Sequence, residues 1–362
     1  MKNRFIVLNI VILFVVLVCP RLVFAADIIT SPKTQESSGN FIVSIGESDV
    51  DIVADLYAKK IIKNDKLFNW ILDITNLHGK IKPGGYKVNA GMNEIQIIKV
   101  LISDPYMKWV VIPEGFRKEQ IAELISKELG WNEKQKSDWV FKTTVGKEGY
   151  NEGVYFPDTY LLPKDETGQQ VAQRMINRFN EKFADYSKKF AEQNIKWTTA
   201  LKIASIVQRE AASKDDMPII AGVIWNRLEK NMNLEIDATV QYIRDSKQHA
   251  NFDLCKTKNS IIWKNDLCLE ASSFDAPFLY ISSGDWWKPM AVVDKKIDSP
   301  YNSYLYSGLP PSPISNPGID AIEATLNPAE TKCLFYLHDD KKKIYCAETY
   351  EEHLKNIETY LK

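Results

Sequence analysis

Histidine and cysteine are both scarce. Four histidines and five cysteines stand among 362 residues, and no two cysteines form a C-x-x-C unit. Structural metal sites draw on clustered His and Cys at such spacings, so the composition argues against one. A basic excess is missing as well: 46 Lys and Arg face 47 Asp and Glu, for a formal net charge of -1. Nucleic-acid binding leaves a basic footprint, and this chain has none. No internal repeat is evident. What remains is an ordinary globular composition, 45% hydrophobic and 26% charged, with room for two or three units around separate cores.

The N-terminus stands apart. Lys2 and Arg4 precede an apolar run from Phe5 to Cys19, followed by Pro20 and Arg21. That run is short of the ~20 residues a span requires, and extending it to Ala26 places a charge inside it. Val23-Phe24-Ala25 before Ala26 reads as a signal-peptidase site with small residues at its two key positions. Residues 1–26 are therefore either a signal cleaved at about Ala25, leaving a soluble exported protein, or a retained single-pass anchor. Both put the body of the chain outside the cytoplasm. Cys19 is a poor lipidation site because Val18 stands where a small residue is expected. Removing the segment takes away three bases and no acid, so a slight acidic excess remains.

Four cysteines are then left, and an even count in an exported chain suggests two disulfides. Cys333-Leu334-Phe335-Tyr336-Leu337 and Lys343-Ile344-Tyr345-Cys346 flank a polar turn, as a β-hairpin would. With the loop centred on Asp339-Asp340, Cys333 and Cys346 become opposite partners. Elimination pairs Cys255 with Cys268.

Glu210 is the residue with the most chemistry in it. The stretch from Trp197 to about Ser213 reads as one helix, and Ile203, Ile206 and Val207 lie on the face that Glu210 ends. A carboxylate at the end of an apolar stripe is either paired with a cation or carries a raised pKa. The second case keeps a proton on near neutral pH, as a general acid requires.

Along the chain, residues 27–40 read as a polar linker. Residues 41–104 form a small unit: a strand at 41–45, helices at 48–59 and 63–77, a turn into a strand at 82–88, and a helix at 92–103. The rest, 105–362, contains a strand at 107–112, helices at 117–129, 167–183 and 217–230, and a closing helix from Tyr350 to Leu361. Residues 243–300 read as an elaborated, turn-rich loop holding the Trp286-Trp287 pair.

Five segments stand in order: Ile112-Pro113-Glu114-Gly115; Glu152-Gly153-Val154-Tyr155-Phe156-Pro157-Asp158-Thr159-Tyr160; Ala204 to Glu210; Asn226-Arg227-Leu228 with Asp237-Ala238-Thr239-Val240; and Tyr301-Asn302-Ser303-Tyr304 with Gly308-Leu309-Pro310-Pro311-Ser312-Pro313-Ile314. Their order and content resemble the YceG-like family, the MltG-type endolytic murein transglycosylases, over residues 40 to 358. The resemblance implies an α+β fold: a LysM-like module at 41–104, then a mixed α/β catalytic domain at 105–362 with an enlarged loop at about 243–297. It implies an inner-membrane enzyme facing the periplasm that cuts peptidoglycan strands between N-acetylmuramic acid and N-acetylglucosamine, leaving 1,6-anhydro ends. No metal or organic cofactor is implied; peptidoglycan synthases are implied as partners.

The family's catalytic glutamate falls on Glu210. The resemblance puts Tyr301, Asn302, Tyr304, Asp237, Thr239, Arg227 and Asn226 on the substrate side. Aromatic faces suit sugar C–H surfaces, and amides suit acetamido groups. Each residue also has a plain structural role open to it. Tyr301, Asn302 and Tyr304 would pack a loop stiffened by prolines, and Asp237 would cap or salt-bridge within a loop. Arg227 would ion-pair with Glu210 or Asp237, and Asn226 would order the backbone. Glu114 and Glu152, each before a glycine, read as turn residues. The chain departs from the family at Gln208, Ala238, Ser303 and Ser312, where Glu, Pro, Thr and Gly are usual. A larger departure is the stretch from Tyr242 to Asp298, longer than usual by some tens of residues.

Overall fold

The computed structural model describes residues 39–89, 91–144, 152–249 and 286–361. The signal or anchor segment, most of the expected linker, and Cys255 and Cys268 lie outside them.

The first unit is β1 (Gly39–Val43), α1 (Asp49–Ala58), α2 (Asp65–Thr75), β2 (Gly84–Val88) and α3 (Glu94–Leu101). Its helices begin where the sequence supplies caps. Ser48 Oγ accepts from Asp51 N, Asn64 Oδ1 from Leu67 N, and Asn93 forms a capping box with Gln96. Phe41, Ile52, Leu56, Phe68, Leu72, Tyr86, Ile97 and Leu101 are buried in its own core.

β3 (Met107–Val111) and β4 (Thr159–Pro163) complete an antiparallel sheet in the order β1-β2-β3-β4. The expected boundary at 104/105 therefore falls inside a continuous sheet. β2 and β3 touch at one register pair, Gly85 with Met107. A Cβ on Gly85 would sit 2.8 Å from Met107 Sδ, so glycine permits the crossing. Trp109 Nε1 donates to Val43 O at 2.9 Å and fastens the same seam.

Helix α4 (Lys118–Leu129), α5 (Glu133–Asp138) and the first half of α6 (Gly168–Glu192) enclose a second core of Val110, Ile121, Ile125, Trp139, Tyr155, Leu162, Val171 and Met175. The third and largest core lies among the rest of α6, α7 (Trp197–Glu210), α8 (Met217–Glu229), α9 (Asp237–His249) and α10 (Ile319–Leu326). A hairpin, β5 (Phe335–His338) and β6 (Ile344–Ala347), and α11 (Tyr350–Tyr360) close the chain. The architecture is α+β, with antiparallel sheets and helices.

Several expectations change. α6 runs on to Glu192 because Phe183 and Phe190 continue its buried face. Residues 243–249, expected as the start of the turn-rich loop, belong to the helix α9, and α10 was not anticipated. α9 carries few apolar positions, so its periodicity is weak, while α10, though apolar, is only eight residues long. In the hairpin Cys346 stands opposite Tyr336, not Cys333. The loop is Asp340-Lys341-Lys342, with Lys342 at φ 63, and not a turn centred on Asp339-Asp340. That is the three-residue type closed by a left-handed residue. Cys333 and Cys346 are nevertheless disulfide-bonded, with Cα atoms 5.7 Å apart, because Leu334 N bonds to Ala347 O and brings residue 333 alongside.

Candidate active site

Glu210 is the last residue of α7. Behind it Ile203, Ile206 and Val207 are wholly buried, and α7 packs against α8 and α10. The helix stops there because Ala211 is extended, at φ -70 and ψ 133. The part-buried carboxylate meets two donors from distant elements. Tyr336 of β5 donates its hydroxyl to Oε2 at 2.8 Å. The backbone N–H of Ala238, in the first turn of α9, reaches Oε1 at a longer 3.4 Å. That N–H is one of the free donors every helix start presents, and it favours negative charge.

The electrostatics oppose one another. Burial raises the Glu210 pKa, the Tyr336 and Ala238 hydrogen bonds lower it, the Asp237 charge raises it, and His338 lowers it; the result lies above the ordinary value. Burial and the adjacent Glu210 charge push the Tyr336 phenol well up, so it remains a donor. Asp237 Oδ1 accepts the Tyr304 hydroxyl at 2.5 Å. His338 Nε2 stands 3.3 Å from Asp216 Oδ2. Glu210–Tyr336 and Asp237–Tyr304 thus form two hydrogen-bonded pairs, side by side and coupled through charge.

The other expected residues have different partners. Arg227 pairs with neither Glu210 nor Asp237. It is buried, its Nε donates to Leu334 O at 2.6 Å, its Nη1 donates to Leu234 O at 2.8 Å, and it meets Glu235 at 3.4 Å. It ties the entry of the hairpin to the connection between α8 and α9. Asn226 holds the chain leading into the hairpin, at Thr331 O and Cys333 O, 2.7 and 3.0 Å away. Thr239 is buried against Ile236 O and Ser303 Oγ. Asn302 is fully buried, with its amide on Lys295 O and Ile297 O. Tyr301 packs its ring 5.1 Å from Tyr242 and places its hydroxyl 2.5 Å from Ser312 Oγ. Of the aromatic candidates, Tyr304 bonds to Asp237, whose charge acts on Glu210.

Glu152 is fully buried and accepts from Lys118 N at 3.0 Å and from Asn316 Nδ2 at 3.0 Å. Asn316 Oδ1 in turn accepts from Gly153 N and Tyr155 N. The pair therefore pins three loops beneath the site. Burial holds the Glu152 carboxyl well above its ordinary pKa. The proline-rich segment is tied to α7 itself: Ile314 N donates to Ser205 Oγ, and Ser315 Oγ to Ser205 O. Sequence reasoning missed Tyr336 and Asn316. The hairpin alternation puts Tyr336 and His338 on one face, which is the only local signal for Tyr336.

The YceG-like family model matches residues 41–359. The chain belongs to the YceG-like family. The endolytic murein transglycosylase of Bacillus subtilis (strain 168) is 28% identical over 351 residues, covering 91% of this chain and 86% of that protein. The endolytic murein transglycosylase of Streptococcus pneumoniae serotype 2 (strain D39 / NCTC 7466) is 24% identical, covering 86% of this chain, and the chain spans 56% of that longer relative. A crystal structure of a putative YceG-like protein from Listeria monocytogenes aligns with a TM-score of 0.56 at 27% identity, covering 88% of this chain and 98% of that one. The YceG-like assignment takes in Glu210, Tyr336 and every element around them.

Proposed function

We propose that this chain is an endolytic peptidoglycan lytic transglycosylase with Glu210 as its acid and base. One observation carries the reading: a carboxyl of raised pKa ends an apolar helix and is held by Tyr336 and Ala238 N–H. The shared name of the Bacillus and Streptococcus relatives supports it.

Protonated Glu210 donates to the oxygen bridging N-acetylmuramic acid and N-acetylglucosamine. The C1–O bond breaks as oxocarbenium character develops. Glu210, now a carboxylate, is held by the Tyr336 hydroxyl. It then takes the proton of the same sugar's C6 hydroxyl, whose oxygen bonds to C1. The nucleophile is intramolecular, so no second carboxylate need hold water. Glu210 returns to its starting protonation. The Asp237 charge beside it favours the protonated Glu210. Tyr304 supplies an aromatic wall.

The remaining expectations belong to the same proposal. The unit at 41–104 holds glycan as a LysM-like module, and the body works outside the cytoplasm, tethered or released at its N-terminus. The cuts terminate or trim nascent strands, beside glycan synthases.

Mass spectrometry of muropeptides released from purified peptidoglycan tests this, with the parent beside Glu210→Gln. Anhydromuramyl ends from the parent alone are expected. Reducing ends would instead indicate a hydrolase. Glycan binding without any product would indicate a wall-binding protein. Because the folded state raises the Glu210 pKa, ionisation above the ordinary Glu range destabilises the fold. The Gln variant is therefore expected to melt at or above the parent at neutral pH, with the gap closing as pH falls through that range.

A further inference from the structure

Arg209, the residue before Glu210, has neither a hydrogen bond nor an ion pair among the described residues. Its Nε is buried and makes no hydrogen bond, and its guanidinium forms no ion pair among the described residues. The neighbouring arginines differ. Arg117 uses all three arms, on Glu119, Tyr242 O and Ser246. Arg244 is taken up by Asp245, Asp294 and two carbonyls. Leaving a buried guanidinium N–H unpaired is unfavourable, and such a group asks for an anion.

Arg209 is also held in place. Its guanidinium carbon lies 4.2 Å from the centroid of the Trp287 ring. On the loop after β3, a Cβ on Gly115 would come within 3.3 Å of Arg209 Nη1, so the approach there is close. Trp287 is anchored in turn: its N donates to Asp245 Oδ2 at 2.8 Å and its Nε1 to Gln120 Oε1 at 3.0 Å. A stacked guanidinium with free donors is preorganised for a planar, two-oxygen ligand. Trp287, which stands in the C-terminal part of the enlarged stretch, thus packs directly on the residue beside Glu210.

We infer that Arg209, backed by Trp287, is a subsite for a carboxylate of the glycan strand next to the bond that Glu210 cleaves. The inference rests on the transglycosylase reading. Two parts of the substrate supply such a carboxylate. One is the lactyl group of N-acetylmuramic acid, which is free on strands lacking stem peptides. The other is the acidic residues and termini of the stem peptides.

The test uses the full chain, with Arg209→Gln and Arg209→Lys, on three preparations of strands of equal length. One bears stem peptides, one is peptide-free with free lactyl carboxylates, and one is peptide-free with those carboxylates converted to methylamides. The readout is kcat/KM for anhydro-ended products, split into kcat and KM. For the parent, a strand with the recognised carboxylate should be favoured over the methylamide by about tenfold, a charge-assisted hydrogen bond's worth. Preference for the free lactyl strands names that source; preference confined to the peptide-bearing strands names the stem. Arg209→Gln should abolish the preference and Arg209→Lys keep part of it, since lysine retains charge but not the fork. Equal rates of the parent on all three, or a preference that survives in Arg209→Gln, would overturn the assignment. The parent's preference needs no variant, so a misfolded substitution does not spoil the test. If the parent yields no anhydro ends on any preparation, the transglycosylase reading fails. Strand co-sedimentation with the parent and Arg209→Gln then decides the carboxylate subsite separately.

Discussion

Replacing Tyr336 with Phe removes one hydroxyl and leaves the ring in place, so it isolates the 2.8 Å hydrogen bond to Glu210 Oε2. A hydrogen bond to a charged group is worth about 1.5–3 kcal/mol. Glu210 keeps part of its surface open to solvent, and water replaces some of the lost donor. The lower end therefore applies, about 1.4 kcal/mol or a factor of ten. The bond favours the ionised form and lowers the Glu210 pKa, so its loss raises that pKa. Activity that requires protonated Glu210 falls as pH rises through this ionisation. The alkaline limb of kcat should accordingly move by about one pH unit to higher pH. On the plateau kcat should drop about tenfold, because the carboxylate formed on proton donation has lost its donor. Initial rates of anhydro-product release on purified glycan from pH 4 to 10 would measure both. The limb cannot be the phenol's own ionisation, which is pushed well up. A limb that stays put, or moves to lower pH, would refute the reasoning.

Asp237→Asn should move the same limb the opposite way, to lower pH, because the Asp237 charge raises the Glu210 pKa; the same rate profile reads it. Gly153→Ala should cost about 2–4 kcal/mol in denaturant unfolding, from left-handed strain plus overpacking. Gly153 has φ +91, and its Cβ would sit 2.8 Å from both Leu201 and Pro313. Replacing Cys333 and Cys346 with Ser should lower stability by about 2–4 kcal/mol under oxidising conditions. It should also depress kcat, since the bridge ties the strand carrying Tyr336. Equal stability of the reduced and oxidised parent would count against that role.

The helix bearing Glu210 was readable locally: three buried positions at helical spacing face one side, and the carboxylate closes the row. Five ordered segments sufficed for the family. The caps at Ser48, Asn64 and Asn93 were likewise local, since each side chain bonds three residues ahead. The hairpin was legible as a hairpin. Its register was not, because one residue in the left-handed region shifts every pairing and no alternation pattern records it.

The site's partners were settled by tertiary structure alone. Tyr336 lies 126 residues from Glu210 and Ala238 lies 28 away. Arg227 offered two acidic partners in the sequence and took backbone carbonyls at the hairpin's entry and in the α8–α9 connection, which need donors. Trp287 lies 78 residues along the chain from Arg209, and its bonds to Gln120 of α4 and Asp245 of α9 set its ring against the guanidinium. Periodicity and capping are short-range rules that act within a turn or two of chain. By themselves they determined that a glutamate ends an apolar helix, where it is either paired with a cation or of raised pKa. Which groups set its pKa depended on where packing brought strand β5 and the start of α9, and no local pattern encodes that.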